Sequence, residues 1–135
     1  MELNGTAALV TGGASGLAER GLILFTTSVA AFEGQIGQAA YTASKGGLAS
    51  LTIQLAREFA QCGMRVMAIA PGIFETPLVG NVSPEVQRAL AESIPFPPRL
   101  GRPQEFADLV GHIAGNRYLN GELIRIDGAV RLPPR

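Results

Sequence analysis

Continuous apolar runs alternate along the chain with segments of helical period. Thr6–Thr11, Leu22–Thr27 and Arg65–Ala70 are the runs, and glycine, serine or proline follows each. Runs of this length, apolar throughout rather than on alternate residues, predict buried parallel strands. The first closes on Gly12-Gly13, the second on Ser28 and a loop containing Gly34 and Gly37, the third on Pro71-Gly72. A last short strand is predicted at Glu122–Ile126, before Asp127-Gly128. From about Ala39 to Gln61 the period changes: Leu48, Leu51, Leu55 and Phe59 recur at spacings of three or four, the stripe of a helix. Gly63 is a natural stop for it. Ser83-Pro84-Glu85 reads as a helix start, with serine as cap, and that helix runs to about Ser93. Ile94–Pro98 is extended or turning, and Pro103–Ala114 opens another helix. Strands alternating with helices imply a layered α/β fold around a parallel sheet.

Composition narrows the function classes without naming one. At 135 residues the chain has room for a single core, and no repeat or linker divides it. A hydrophobic fraction of 47% with 16% charged residues fits a globular fold. Eleven basic and eleven acidic side chains cancel, so no basic stripe favours nucleic acid. One cysteine, Cys62, precludes an internal disulfide or a cysteine-rich metal site, which points to a reduced, intracellular setting. Neither a basic leader nor a run long enough to span a bilayer is expected. His112 has no ligand partners nearby in the sequence, so a structural role is expected and no metal.

Two clusters carry candidate chemistry. Thr11-Gly12-Gly13-Ala14-Ser15-Gly16-Leu17 directly follows a predicted strand. There, glycines let backbone approach a phosphate and a following helix offers free N–H groups, although an ordinary strand-ending turn looks the same. A dinucleotide site also wants an acid about twenty positions on, at the end of the next strand. Glu33 has roughly that spacing but falls in the Ser28–Tyr41 loop. The second cluster is Ser28, Tyr41 and Lys45. Tyr41 and Lys45, four apart on a predicted helix, share one face. A phenol titrates near about pH 10, and an adjacent ammonium favours the phenolate, the tuning that proton transfer requires. Ser28, at the mouth of the preceding strand, can donate a hydrogen bond to a substrate oxygen. Tyr-x-x-x-Lys alone is more often a solvated helix face; its company here changes the balance.

Thr11–Leu17, Ser28, Tyr41-Thr42-Ala43-Ser44-Lys45, Pro71-Gly72 with Thr76-Pro77, and Asp127-Gly128 occur in order. In this the chain resembles the short-chain dehydrogenase/reductases. The run from Ser28 to Tyr41, Pro95-Phe96-Pro97, and Asn120-Gly121-Glu122 with Arg125-Ile126-Asp127-Gly128 are similar to the type II 3-hydroxyacyl-CoA and hydroxysteroid dehydrogenase branch. The resemblance implies a nicotinamide-dependent oxidoreductase moving a hydride on a secondary alcohol or ketone such as a 3-hydroxyacyl-CoA. Tyr41 would be the general acid/base, Lys45 would lower its pKa and hold the nicotinamide ribose, and Ser28 would orient the substrate oxygen. Gly12, Ser15, Gly16 and Leu17 would line the pyrophosphate and adenosine side, and Phe74 and Thr76 would cover the nicotinamide and its phosphate. Gln35 and Gln38 would meet substrate or remain loop polars.

The resemblance also exposes a gap. Family members carry on the order of a hundred further residues between the glycine turn and the serine strand, enough to complete a βαβαβ unit. Here Leu17 runs into Ala18-Glu19-Arg20-Gly21, and the third glycine of the turn falls at Ala18. The first helix, the ribose-binding acid, an Asn-rich strand, the relay asparagine and the helix that pairs with the Tyr41 helix in dimers have no counterpart. The expected fold is therefore a truncated Rossmann-like three-layer α/β domain with a parallel sheet of about four strands. Residues 1–17 would be the remnant of the cofactor half, and 21–135 the catalytic and C-terminal half. Ten residues from Gly12 to Gly21 reach at most about 33–36 Å, so the first strand can lie beside the serine strand through a cramped crossover.

NAD is the implied cofactor, with NADP open because the deciding residue has no counterpart. Implied partners are a small-molecule or acyl-CoA substrate and either a second copy or full-length relatives, with neither nucleic acid nor membrane. Gly46-Gly47 costs helix stability and suggests a close helix–helix contact, consistent with the family's dimer face. The Arg131–Arg135 tail resembles an oligomer contact segment, with an unstructured end as the default. A cytoplasmic or mitochondrial matrix location follows from the same resemblance. The opposing expectation is a catalytically inactive shortened form that acts as a subunit-interaction fragment.

Overall fold

A computed structural model describes residues 8–12 and 21–134. Its sheet has four strands: β1 (Ala8–Gly12), β2 (Gly21–Thr26), β3 (Met64–Pro71) and β4 (Leu123–Ile126), in that spatial order. β2 and β3 pair in parallel from Gly21↔Met64 to Thr26↔Ile69, and β4 joins β3 in parallel from Ala68↔Leu123 to Pro71↔Ile126. β1 lies beside β2, as its length of connection allows, but runs antiparallel, from Ala8↔Phe25 to Gly12↔Gly21. This corrects the expectation of a wholly parallel sheet. Eight residues separate the two strands, whereas a parallel neighbour requires a crossover of roughly a dozen or more.

Helices fill the intervals. α1 (Ala39–Phe59) links β2 to β3 and passes through a short 3-10 turn to Gly63, whose φ of 68° ends it. α2 (Pro77–Gly80), α3 (Pro84–Glu92) and α4 (Pro103–Gly115) link β3 to β4. Thr76 and Ser83 cap α2 and α3, each accepting a bond from the backbone three residues on, with proline in the first turn. α2 was not anticipated, since four residues carry no readable period.

Strand alternation sorts the side chains into two faces. Leu22 and Leu24 of β2, Met67 and Ile69 of β3, and Ile124 and Ile126 of β4 pack with Phe106, Leu109, Val110 and Ile113 of α4. α1 packs on β3 from the opposite face, where Ala68 and Ala70 keep the strand surface low. Gly121, at φ 77°, lies against this helix: a Cβ there would come within 2.8 Å of Ile53 Cδ1. α4 is further tied by Arg65, a buried β3 side chain whose guanidinium donates to the carbonyls of Ile113, Ala114, Asn116 and Leu119 at 2.8–3.2 Å. The last turn of a helix leaves carbonyls unpaired, and this fork satisfies them. A smaller cluster of Ile94, Leu100 and Val130 seats α2 and α3. Among the described residues, no helix is long and apolar enough to cross a membrane.

Candidate active site

The site forms where β2 ends and α1 begins. Thr27 extends the pairing past β2, its N–H donating to the Ile69 carbonyl at 2.9 Å. Its hydroxyl donates to the Lys45 carbonyl at 2.7 Å, and Lys45 Nζ returns a bond to the Thr26 carbonyl at 3.1 Å. These two bonds hold the first turns of α1 against the carboxyl end of the sheet, where ligands of open α/β folds bind. Ser28 comes next, extended at φ −162° and ψ 156°, and caps the 3-10 turn Val29–Ala31 by accepting from Ala30 N at 3.1 Å. Its oxygen serves that turn as acceptor, so its proton remains to be donated.

Lys45 is 4% exposed, and burial holds its pKa below the ordinary lysine value. One helical turn earlier, the Tyr41 ring centroid is 5.7 Å from Lys45 Nζ, within cation–π range. Tyr41 is 45% exposed and stands at a mainly apolar cleft of about 500 Å³ lined by Phe74, Thr76, Val79, Pro103 and Phe106, among others. Ser28 and Lys45 are buried and do not line it. The Phe74 ring meets Phe106 edge-on with centroids 6.1 Å apart, and it lies on Gly101, where any Cβ would come within 2.7 Å of it. That glycine is needed for the close approach.

The other anticipated residues fall as follows. Thr76 lines the cleft and also caps α2. The Gln35 amide donates to the Pro133 carbonyl at 3.1 Å. Gly12 is the last residue of β1, while Ser15, Gly16 and Leu17 lie outside the described residues. Glu33 pairs with Arg125 and accepts from Leu132 N, so its carboxylate serves the C-terminal segment. That segment is hydrogen-bonded to the loop, a correction to the unstructured end expected of it. A Cβ on Gly47 would meet nothing within 4 Å, and one on Gly46 only the Ala31 carbonyl at 4.0 Å; no helix among the described residues explains the pair. Val79, Pro103 and Phe106 were missed. The available signal was the Phe106, Leu109, Val110, Ile113 stripe of α4, which marks a buried face without saying that its first member reaches a cleft.

A family model described as "Enoyl-(Acyl carrier protein) reductase" matches residues 1–130. The chain belongs to the short-chain dehydrogenase/reductase family. Among relatives of this family, 3-hydroxyacyl-CoA dehydrogenase type-2 from Bos taurus is 56% identical over 116 residues, covering 86% of this chain and 44% of the relative. The Homo sapiens protein of the same description gives the same identity and coverage. Acetoacetyl-CoA reductase from Synechocystis is 32% identical over 134 residues, covering 96% of this chain and 55% of that protein. The crystal structure of 3-hydroxyacyl-CoA dehydrogenase type-2 from Mycobacterium avium superposes with a TM-score of 0.87 at 46% identity, over 92% of this chain and 48% of that one. The chain thus spans about half the length of the curated relatives it matches.

Proposed function

We propose that residues 21–135 carry the catalytic half of an NAD(P)-dependent oxidoreductase acting on a secondary alcohol or ketone such as a 3-hydroxyacyl-CoA, with 1–17 the remnant of the cofactor half. One observation carries this reading: Tyr41, 45% exposed, opens on an apolar cleft one turn from a buried ammonium. Lys45 is the chain's single lysine beside ten arginines, and it occupies a position where burial penalises charge. A structural cation would be better placed in water.

In alcohol oxidation, Tyr41 takes the hydroxyl proton of the substrate; by the resemblance Ser28, buried behind the cleft, would donate to the same oxygen. Lys45 stands one helical turn away, its ammonium 5.7 Å from the Tyr41 ring centroid. Phe74 and Phe106 keep the cleft apolar and exclude water from the reacting carbon. When bound, a nicotinamide supplies the hydride acceptor. By the resemblance, Lys45 would hold its ribose, and Phe74 and Thr76, which line the cleft, would cover its ring and phosphate. A 3-hydroxyacyl-CoA substrate is favoured on likeness to the relatives above, while NAD rests on the resemblance alone and NADP stays open. A reduced cytoplasmic or mitochondrial matrix compartment agrees with the single, exposed Cys62.

NAD titration by calorimetry, followed by turnover of a short 3-hydroxyacyl-CoA, tests the reading. Saturable binding with turnover that Tyr41→Phe lowers by about 10²–10⁴-fold is expected. Absence of saturation at millimolar NAD overturns it for this chain. In that case the second reading holds, a non-catalytic fragment that binds another copy or a longer relative. Its support is the half-length match together with Leu51, a large apolar residue of α1 that is 45% exposed on the side away from the sheet.

A further inference from the structure

The segment after β4 is strapped across the loop that joins Ser28 to Tyr41. Leu132 N donates to Glu33 Oε2 at 2.9 Å, the Gln35 amide donates to the Pro133 carbonyl at 3.1 Å, and Ile36 N donates to the Pro134 carbonyl at 3.0 Å. Three consecutive tail residues therefore engage a four-residue stretch of the loop. The tail sequence suits this use. Pro133 and Pro134 lack N–H groups and are held extended by their rings, so they offer acceptors and lose little freedom on docking.

Glu33 anchors the arrangement. Its side chain is 15% exposed, with Oε1 at 2.7 Å from Arg125 Nη2 and 3.5 Å from Arg131 Nε. Arg125 leaves β4 on the face that carries Ala70, its register partner. It bonds Asp127 Oδ2 from Nε at 2.7 Å, and its guanidinium lies 5.5 Å over the Phe32 ring. Asp127 in turn fixes the bend that sends the chain back to the loop: its Oδ1 accepts from Ala129 N at 2.9 Å. Ala129, at φ 65°, is the non-glycine residue with positive φ among the described residues. Such a conformation persists where its surroundings hold it.

Beyond the 3-10 turn Val29–Ala31, buried at Val29 and Ala30, the stretch from Gly34 to Gly37 is lightly packed among the described residues. A Cβ at Gly34 or Gly37 would meet nothing within 4 Å, and Ile36 is 68% exposed. Yet the loop's two ends are Ser28 and Tyr41. We propose that Glu33 is a positioning residue which, by fastening the strap Arg131–Pro134 across this loop, adds to the Thr27 and Lys45 bonds in setting Ser28 and Tyr41 relative to each other; this rests on the assignment of those two as proton-transfer partners. One N–H of the Gln35 amide is thereby taken up by the tail.

Two variants of the chain approach the strap from opposite sides: Glu33→Ala, and truncation after Val130. Amide hydrogen exchange across residues 33–38 is expected to quicken by about tenfold or more in each, with protection at Ile69 in β3 unchanged. Combining the two should add little, because both release one device. NMR resonances of Ser28 and of the Tyr41 ring should move while those of the exposed Tyr118 stay. In turnover, kcat should fall by about tenfold or more with KM for the dinucleotide nearly unchanged, as displacement of a reacting group predicts. The proposal is overturned if exchange in 33–38 is unmoved by both changes, if it rises equally in β3, or if the Ser28 and Tyr41 resonances stay fixed. Exchange and resonances need no substrate, so an unmodified chain that fails to turn over counts against the oxidoreductase reading alone.

Discussion

β3 and α1 lie against one another, yet the chain treats them in opposite ways. From Val66 to Ala70 every residue of β3 is fully buried, covered by α4 on one face and α1 on the other. α1 is 21 residues long, but its buried residues are Lys45, Thr52 and Ala56. The strand is fixed by apolar packing. The helix is fixed mainly by polar bonds at its start, through Thr27 and Lys45, and by small-residue contact with Gly121 further along. Burial in α1 thus falls on Lys45, Thr52 and Ala56, while Leu51 and Ile53 stay exposed among Ser50, Gln54, Arg57 and Glu58.

The largest expected contrast is a pair of truncations. Ile69→Ala empties a fully buried site and should cost about 2–5 kcal/mol in urea unfolding. Leu51→Ala, on the outer face of α1, should cost less than about 1 kcal/mol. Equal costs would break the comparison, because they would mean that the outer face of α1 is covered in solution. Repeating the pair across a range of protein concentration sharpens it, since a cost for Leu51→Ala that grows with concentration reports association through that face.

The same contrast explains what could be read in advance. β3 was legible because a run apolar throughout has few alternatives in a layered fold, and α1 because Leu48, Leu51, Leu55 and Phe59 keep a helical period that Gly63 ends. Tyr41 and Lys45 were legible as neighbours because helix geometry makes i and i+4 meet. The direction of β1 was not, since an apolar run encodes burial and leaves strand direction to the connection. Thr26 was hidden for another reason: it holds Lys45 through its backbone carbonyl, and a carbonyl leaves no mark on the choice of side chain. The strap was the least legible. Leu132 meets Glu33 across 99 residues of sequence, and a five-residue tail has no period to suggest a partner.

α4 provides the intermediate case, a helix held by both means. Its inner stripe joins the core on β2 and β3, and Arg65 gathers four carbonyls at its C-terminal end. Arg65→Met keeps the apolar stem and removes the donors. Leaving those carbonyls with poorer partners should cost about 2–3 kcal/mol, together with faster amide exchange in the residues that follow α4. An unchanged urea midpoint would show that water takes over the role of the guanidinium, and would place α4 with β3 as an element held by packing alone.

The smallest effect concerns the polar anchor of α1 and is one of sign. Burial lowers the Lys45 pKa from its ordinary value of 10.5, so the charged form is the one that folding disfavours. Between the lowered value and 10.5 the unfolded chain binds more protons than the folded one, and stability attributable to this group rises with pH across that window. Below the window both states are protonated, and the burial penalty is felt in full. Having a single lysine makes the test clean: Lys45→Met should flatten the rise in urea midpoint as pH approaches 10.5 while leaving the neutral-pH midpoint equal or higher. A fall in stability with pH that Lys45→Met abolishes would reverse the assignment. Favourable bonding of the ammonium to the Thr26 carbonyl and the Tyr41 ring would then outweigh its burial, and α1 would be anchored by charge as firmly as β3 is by packing.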